Sequence, residues 1–324
     1  MSIPMDHNID DPWALQPDEA SGFRSDPGQF ALQIKTIKDV EPLNAQIGTF
    51  PKKTVPDALY DTLFGQSGST GTETEAVVDG PPVMRTYAIL DAAKVINLPE
   101  VLEDSGLEHR CLFRGTAYDE LKNVAPWIVR LEEDSNFTRN LFTSSNAPWH
   151  YWETEPGFYI RSRGTLDEMC GHFRKFVKIR DTDGAWFYFR FWEPAALPAY
   201  LSGLSDRPLL ALRWFSGRVG VDINAMLFPS CRNSTLTLVS PAELPDNRPA
   251  VPIHFTAYDR DAIAAARTKV RLSELSDLLA KTFPELLDRD EQKLGFLVHR
   301  TVSRMQQFGP PTFKPRWPDT MGIC

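Results

Sequence analysis

Cysteine is scarce and scattered. The chain has four, Cys111, Cys170, Cys231 and Cys324, with no Cys-x-x-Cys pair and no metal-ligand spacing. That excludes a disulfide framework or a zinc site read from sequence and points to the reduced thiols of a cytosolic protein. Long apolar runs are lacking too, and nothing approaches the roughly 20 residues a membrane-spanning helix needs. The opening MSIPMDHNIDDPW is acidic and has no apolar core, so no Sec-type signal peptide is expected. There is no excess of positive charge: 35 Lys and Arg stand against 43 Asp and Glu, a net charge of −8. Nonspecific nucleic-acid binding, which needs a basic footprint, is therefore not expected. Familiar catalytic signatures are missing as well. There is no Gly-x-Ser-x-Gly and no His-Glu-x-x-His, and the glycines of GQSGSTGTETE precede no Lys-Ser/Thr, which rules out a phosphate loop.

The charge that is present is unevenly placed. Residues 1–80 hold 13 acids, 5 bases and seven prolines, and they account for the whole net charge. Such a composition buries too little apolar surface to offset chain entropy, so this stretch is expected to be a mostly unpacked extension ending in a linker. Two islands stand out in it. FALQIKTI has the character of a strand. PDALYDTLFG has that of a short helix, with Leu59 and Leu63 one turn apart. The islands are either docking motifs for a partner or segments that fold back on their own domain.

From residue 81 to about 245 the texture is that of an α/β domain. TYAILDAA, HRCLFRG, PWIVRL and GFYIRSR are strand candidates separated by helical stretches. Strand and helix in alternation suggest crossover units, hence a mixed, largely parallel sheet flanked by helices. TLDEMCGHFRKF opens with a capping box, Thr165 and Glu168, and its apolar residues recur at helical spacing. Asp183-Gly184 marks a tight turn between two strands. PLLALRWFSG, NAMLFPS and STLTLVS suggest further strands. From about 250 the period becomes helical, in three segments, with Asp290 a cap for the last and Gly309 its end. A helical lobe and a proline-rich tail are expected over 250–324.

WFYFRFWEP, residues 186–194, is the densest aromatic run. Alternation along a strand would put Phe187, Phe189 and Phe191 on one face and Trp186, Tyr188, Arg190 and Trp192 on the other. Aromatics on both faces imply an interior strand. Arg190 among them calls for an aromatic face and a carboxylate, with Glu193 or Asp91 as candidates. Pro194 suits a helix start, which Glu193 could cap weakly.

Taken together and in order, several pieces resemble the type VI secretion effector adaptors, the Tap/Tec chaperone family. The pieces are YAILDAA with Asp91; LFRG with Phe113 and Gly115; APWIV with Pro126; RSRGTLDEMCGHFRKF with Ser162, His172 and Arg174; and FRFWEP with Arg190, Phe191, Glu193 and Pro194. They span roughly residues 85–204, and the helical end resembles the family more loosely. Two departures are His-Phe-Arg for His-Leu-Arg and Glu193 for the usual Asp. The resemblance implies a non-enzymatic adaptor in the cytoplasm of a Gram-negative bacterium, without metal or cofactor. Such a protein binds a cognate toxin effector and helps load it onto the VgrG spike, and its motif residues are structural.

Candidates for partner contact are Trp149, Tyr151 and Trp152 in PWHYWE, with Trp127 and Trp214, and Leu59 and Leu63 in the extension, because interfaces favour exposed aromatic and apolar anchors. The alternatives are an immunity-type toxin binder, or a hydrolase using His172, Asp91 and Arg174. Cys111 with His150 as a thiol–imidazole pair has no support in the spacing.

Overall fold

A computed structural model describes residues 30–66, 83–181, 186–217, 222–245 and 254–282, together with Arg300. Its strands and helices are, in chain order, β1 (Leu32–Ile37), α1 (Asp57–Phe64), β2 (Arg85–Asp91), α2 (Leu98–Ser105), β3 (His109–Cys111), α3 (Thr116–Leu121), β4 (Pro126–Leu131), α4 (Asn136–Leu141), β5 (Gly157–Ser162), α5 (Leu166–Val177), β6 (Lys178–Asp181), β7 (Trp186–Tyr188), α6 (Leu197–Ser202), α7 (Pro208–Phe215), β8 (Ile223–Ser230), β9 (Thr235–Pro241), β10 (His254–Phe255) and α8 (Ala257–Thr282).

The main sheet has seven strands in the order β1-β9-β8-β5-β2-β4-β3. Every pair in it is antiparallel, which corrects the expected parallel sheet. The reason lies in how the crossovers interleave. β2 and β3, joined through α2, do run in the same direction, but β4 lies between them. β4 and β5, joined through α4, also share a direction, but β2 lies between them. Strand–helix–strand units are therefore present, yet their two strands are not hydrogen-bonded neighbours. The near-continuous apolar character of β2, β4 and β5 comes from burial on both faces, and that burial does not depend on strand direction.

Helices cover both faces. On one, α5 packs against β3 and β4. The Tyr87 hydroxyl donates to the Gly164 carbonyl at 2.6 Å, and Phe158 meets Phe173 edge-on. On the other, α1 packs against β2, and Phe142 at the end of α4 stacks on Tyr159 with centroids 4.9 Å apart. At Gly157 of β5 a Cβ would lie 1.7 Å from the Ile89 carbonyl oxygen of β2, so only glycine fits there.

Residues 30–66 are not an unpacked extension. β1 is the outer strand of the main sheet, paired with β9, and α1 buries Leu59 and Leu63 in the common core. The capping box of α5 forms as the sequence predicts: the Glu168 N–H donates to Thr165 Oγ1 at 3.3 Å, and the Thr165 N–H to Glu168 Oε2 at 2.7 Å. Those bonds from Thr165 hold the Glu168 carboxyl below its ordinary range.

PLLALRWF is helix α7 rather than a strand. Pro208 sits at its first turn, and Leu, Ala, Arg and Trp leave no β-branched residue to disfavour a helix. NAMLFPS and STLTLVS are strands as expected, β8 and β9, and they pair with each other in the main sheet. The first two helical segments after 250 are one continuous helix, α8. The third segment, with Asp290 and Gly309, lies outside the described residues apart from Arg300, which is helical.

β6, β7 and β10 form a separate small sheet in the order β10-β6-β7. The turn at Asp183-Gly184 lies outside the described residues. The aromatic run is therefore not an interior strand. β7 stops at Tyr188 on the edge of this sheet, and Trp186 and Tyr188 are about half exposed, at 50% and 52%. The chain then bends: the Phe191 N–H donates to the Phe189 carbonyl at 2.9 Å, a γ-turn centred on Arg190. Phe189 and Phe191 are both buried, on the shared face that alternation assigns them, although β7 has already ended.

Candidate functional site

Phe191 anchors an aromatic cluster. It lies against Phe173 with centroids 5.8 Å apart and Trp214 at 5.8 Å, and Phe176 stacks on Trp214 at 3.9 Å. The same γ-turn aims Arg190 the other way. Its Nη2 donates to Asp91 Oδ2 at 2.7 Å, its Nε lies 3.3 Å from Glu193 Oε1, and its guanidinium sits 5.6 Å from the Trp192 ring centroid. Both carboxylates named from sequence thus meet Arg190, as does one of its aromatic neighbours.

Asp91 also ends β2, where its Oδ1 accepts from the Ala93 N–H at 2.9 Å. Glu193 takes a second cation: Arg267 of α8 donates through Nε to Glu193 Oε2 at 2.7 Å and through Nη2 to the Arg190 carbonyl at 3.1 Å. An alternating chain, Asp91–Arg190–Glu193–Arg267, therefore ties the sheet to α8. Glu193 does not cap a helix. Its two carboxylate oxygens go to Arg190 and Arg267, Ala196 is the residue at the N-cap of α6, and buried Pro194 lies in the turn before α6.

The other motif residues also hold the fold. Phe113 is buried against Tyr188 and Trp192. Gly115 has φ +54°, a backbone region that favours glycine, as the chain turns into α3. Pro126 opens β4 opposite Asp91. The Ser162 hydroxyl donates to the Asp222 carbonyl at 2.6 Å and accepts from the Gly164 N–H at 3.0 Å. Arg174 donates to the Cys111 carbonyl at 2.6 Å and to that of Leu112 at 3.3 Å.

His172 is buried, with its Nε2 3.1 Å from the Trp214 carbonyl oxygen. That contact makes Nε2 the protonated nitrogen and leaves Nδ1 buried without a hydrogen-bond partner among the described residues. Burial, reinforced by Lys175, pushes the imidazole down to about 3.

His172, Asp91 and Arg174 are thus engaged with three different partners and do not converge on a shared cleft. A cavity of about 380 Å³ does lie beside β3, lined by Glu100, Glu103, His109, Arg110, Trp127 and Arg174 among others. Its thiol, Cys111, is pushed up to about 11 by burial, which leaves it a poor nucleophile at neutral pH. His150, weighed against Cys111 in sequence, instead bonds Ser145 through Nδ1 at 2.5 Å. Among the described residues no group of His, Cys, Asp and Glu is arranged to hold a metal, and no helix is long and apolar enough to cross a membrane.

Of the partner-contact candidates, Trp149 is exposed at 57%, whereas Tyr151, Trp152, Trp127, Trp214, Leu59 and Leu63 are all buried in the protein's own core. The fold itself accounts for those six.

Residues 86–209 match the family model DUF4123, described as a domain of unknown function. This domain family is associated with the effector adaptors of type VI secretion. The DUF4123 segment runs from β2 to the start of α7 and is well under half of the chain. It contains every motif residue above, while β1, α1, β8, β9 and α8 lie outside it. No curated protein and no solved structure matches the chain.

Sequence reasoning missed two polar centres. Arg161, 6% exposed, points from β5 to the end of α1. It donates to the carbonyls of Leu63 and Gly65 and, at 2.7 Å, to Thr86 Oγ1. Nothing in the sequence signals a cation whose acceptors are main-chain carbonyls nearly a hundred residues away. Asp259 is fully buried. It accepts from the Tyr200 hydroxyl at 3.1 Å, the Thr256 N–H at 2.7 Å and Arg207. Burial alone would raise its carboxyl, but Arg207 and Thr256 hold it below the ordinary value. A signal existed here, because Thr256 and Asp259 have capping-box spacing at the start of α8.

Proposed function

We propose that this chain is a non-enzymatic adaptor that binds a cognate toxin effector in the cytoplasm of a Gram-negative bacterium and helps load it onto the VgrG spike of a type VI secretion system. The observation that carries the reading is the match of residues 86–209 to the effector-adaptor domain family. The geometry supports it, because the polar motif residues are used up in internal bonds. Asp91, Arg190 and Glu193 form an ion-pair chain, Ser162 and Arg174 bond main-chain groups, and His172 is held neutral in the core. A hydrolase built on His172, Asp91 and Arg174 would need them around one substrate, and they have separate partners.

Deleting the gene tests the role in the cell. Loss of toxin export from a producer that grows normally is the expected result. Self-intoxication of the producer would instead mark an immunity protein, and unchanged export would contradict the proposal.

A further inference from the structure

Residues 46–53 form a closed loop outside the family-matched segment. Its base is a side-chain clamp. Gln46, itself buried, donates through Nε2 to the Lys53 carbonyl at 2.9 Å and accepts through Oε1 from the Lys53 N–H at 2.7 Å. One amide thus satisfies both main-chain groups of Lys53, as a neighbouring strand would. Arg139 of α4 adds a third bond, from Nε to the Lys53 carbonyl at 3.0 Å. Just before the loop, the Leu43 N–H donates to the Phe142 carbonyl and the Ser144 N–H to the Leu43 carbonyl, both at 2.8 Å, which fixes its near end to the body of the protein.

This well-anchored loop carries two large apolar side chains outward: Ile47 is 91% exposed and Phe50 is 95% exposed. A single exposed apolar residue needs no explanation. Two on one clamped loop are different, because the ordering cost of presenting them has already been met in the free protein, and pre-organised apolar anchors are what interfaces use. The loop itself carries two cations, although Asp57 and Asp134 lie close by. Lys52 is exposed, and Lys53 keeps a 57% exposed side chain even while paired with Asp57.

We infer that the 46–53 loop is an anchor for a protein partner, with Ile47 and Phe50 entering an apolar pocket of that partner bordered by carboxylates that face Lys52 and Lys53. On the adaptor reading, on which this inference rests, that partner is the toxin. The alternative occupant of an apolar loop beside lysines is an anionic membrane. Basic segments that hold membranes carry about four to eight cations, at about 1 kcal/mol each. Here there are three, Lys52, Lys53 and Arg139, with Lys53 paired with an acid, in a chain of net charge −8.

The test is the full-length chain titrated with the product of the adjacent gene, comparing wild type with Ile47→Ser/Phe50→Ser. Both side chains are outside the core, so the double variant is expected to melt with the wild type. Its dissociation constant is expected to rise about 100-fold or more, as for two interface anchors. Added salt is expected to weaken wild-type binding, and Lys52→Glu to weaken it further. Wild-type affinity in the double variant, with wild type binding tightly, overturns this inference and leaves the adaptor reading standing. No binding by wild type overturns both. Wild-type sedimentation with phosphatidylserine-containing vesicles that is lost in the double variant overturns it in favour of a membrane.

Discussion

Replacing Arg161 with methionine is expected to destabilise the protein by about 2–5 kcal/mol. The guanidinium is buried and has no carboxylate partner among the described residues; its acceptors are the Leu63 and Gly65 carbonyls and Thr86 Oγ1. These carbonyls stand at the C-terminal end of α1, where a helix has unbonded acceptors and partial negative charge. Burial, with Arg163 nearby, pushes the Arg161 guanidinium down to about 10, so it remains charged at neutral pH. Methionine fills most of the volume but leaves the acceptors dry and unpaired. The loss is a large fraction of the roughly 5–15 kcal/mol that typically holds a domain together. Urea denaturation measures it. Hydrogen exchange should locate it, with amides of residues 57–66 losing protection first, because Arg161 is what pins that helix end to the sheet. A change within about 0.5 kcal/mol would mean that the carbonyls find other donors.

Acid is expected to weaken the fold well before the carboxylates titrate. The native state keeps His172 neutral down to about pH 3, whereas the imidazole of an unfolded chain takes up its proton near pH 6.5. Between those values the unfolded state binds more protons, so stability rises with pH in that window and is level above it. Each pH unit in the window is worth about 1.4 kcal/mol, so moving from pH 6.5 to pH 5 should remove about 2 kcal/mol. The cause is local: protonating Nδ1 would create a buried N–H with no acceptor, beside Lys175. In His172→Gln, the urea midpoint should lose its slope between pH 5 and 6.5. An equal slope in wild type and variant would assign the effect to another group.

Both centres bear on what the sequence can disclose. Local signals were legible: Thr165 and Glu168 cap α5 as their spacing says, and β2, β4, β5, β8 and β9 lie where the apolar runs are. Arg190 could be read too, because a cation inside an aromatic run demands an acid, and Asp91 and Glu193 were near in sequence or in motif order. Strand direction was not legible. A run such as TYAILD reports burial on both faces, and nothing in it says that β4 and β5 flank β2 in the opposite direction. The γ-turn at Arg190 was hidden for a related reason, since alternating aromatics continue past the point where pairing stops. Leu59 and Leu63 left two readings open, and the structure buries them. The Arg161 acceptors, being main-chain atoms, leave no trace in residue identity. Exposed Ile47 and Phe50 could not be singled out either, because an isolated apolar residue in a polar stretch looks the same whether it is covered or bare.

On the proposed function, the polar motif residues are architecture and the molecule works by holding another protein. The most direct measurement is co-expression of the full chain with the product of the adjacent gene, followed by size-exclusion chromatography. The two proteins are expected to co-elute, with the neighbour soluble only when paired. A neighbour that is soluble alone and elutes separately from this chain would contradict the proposed function.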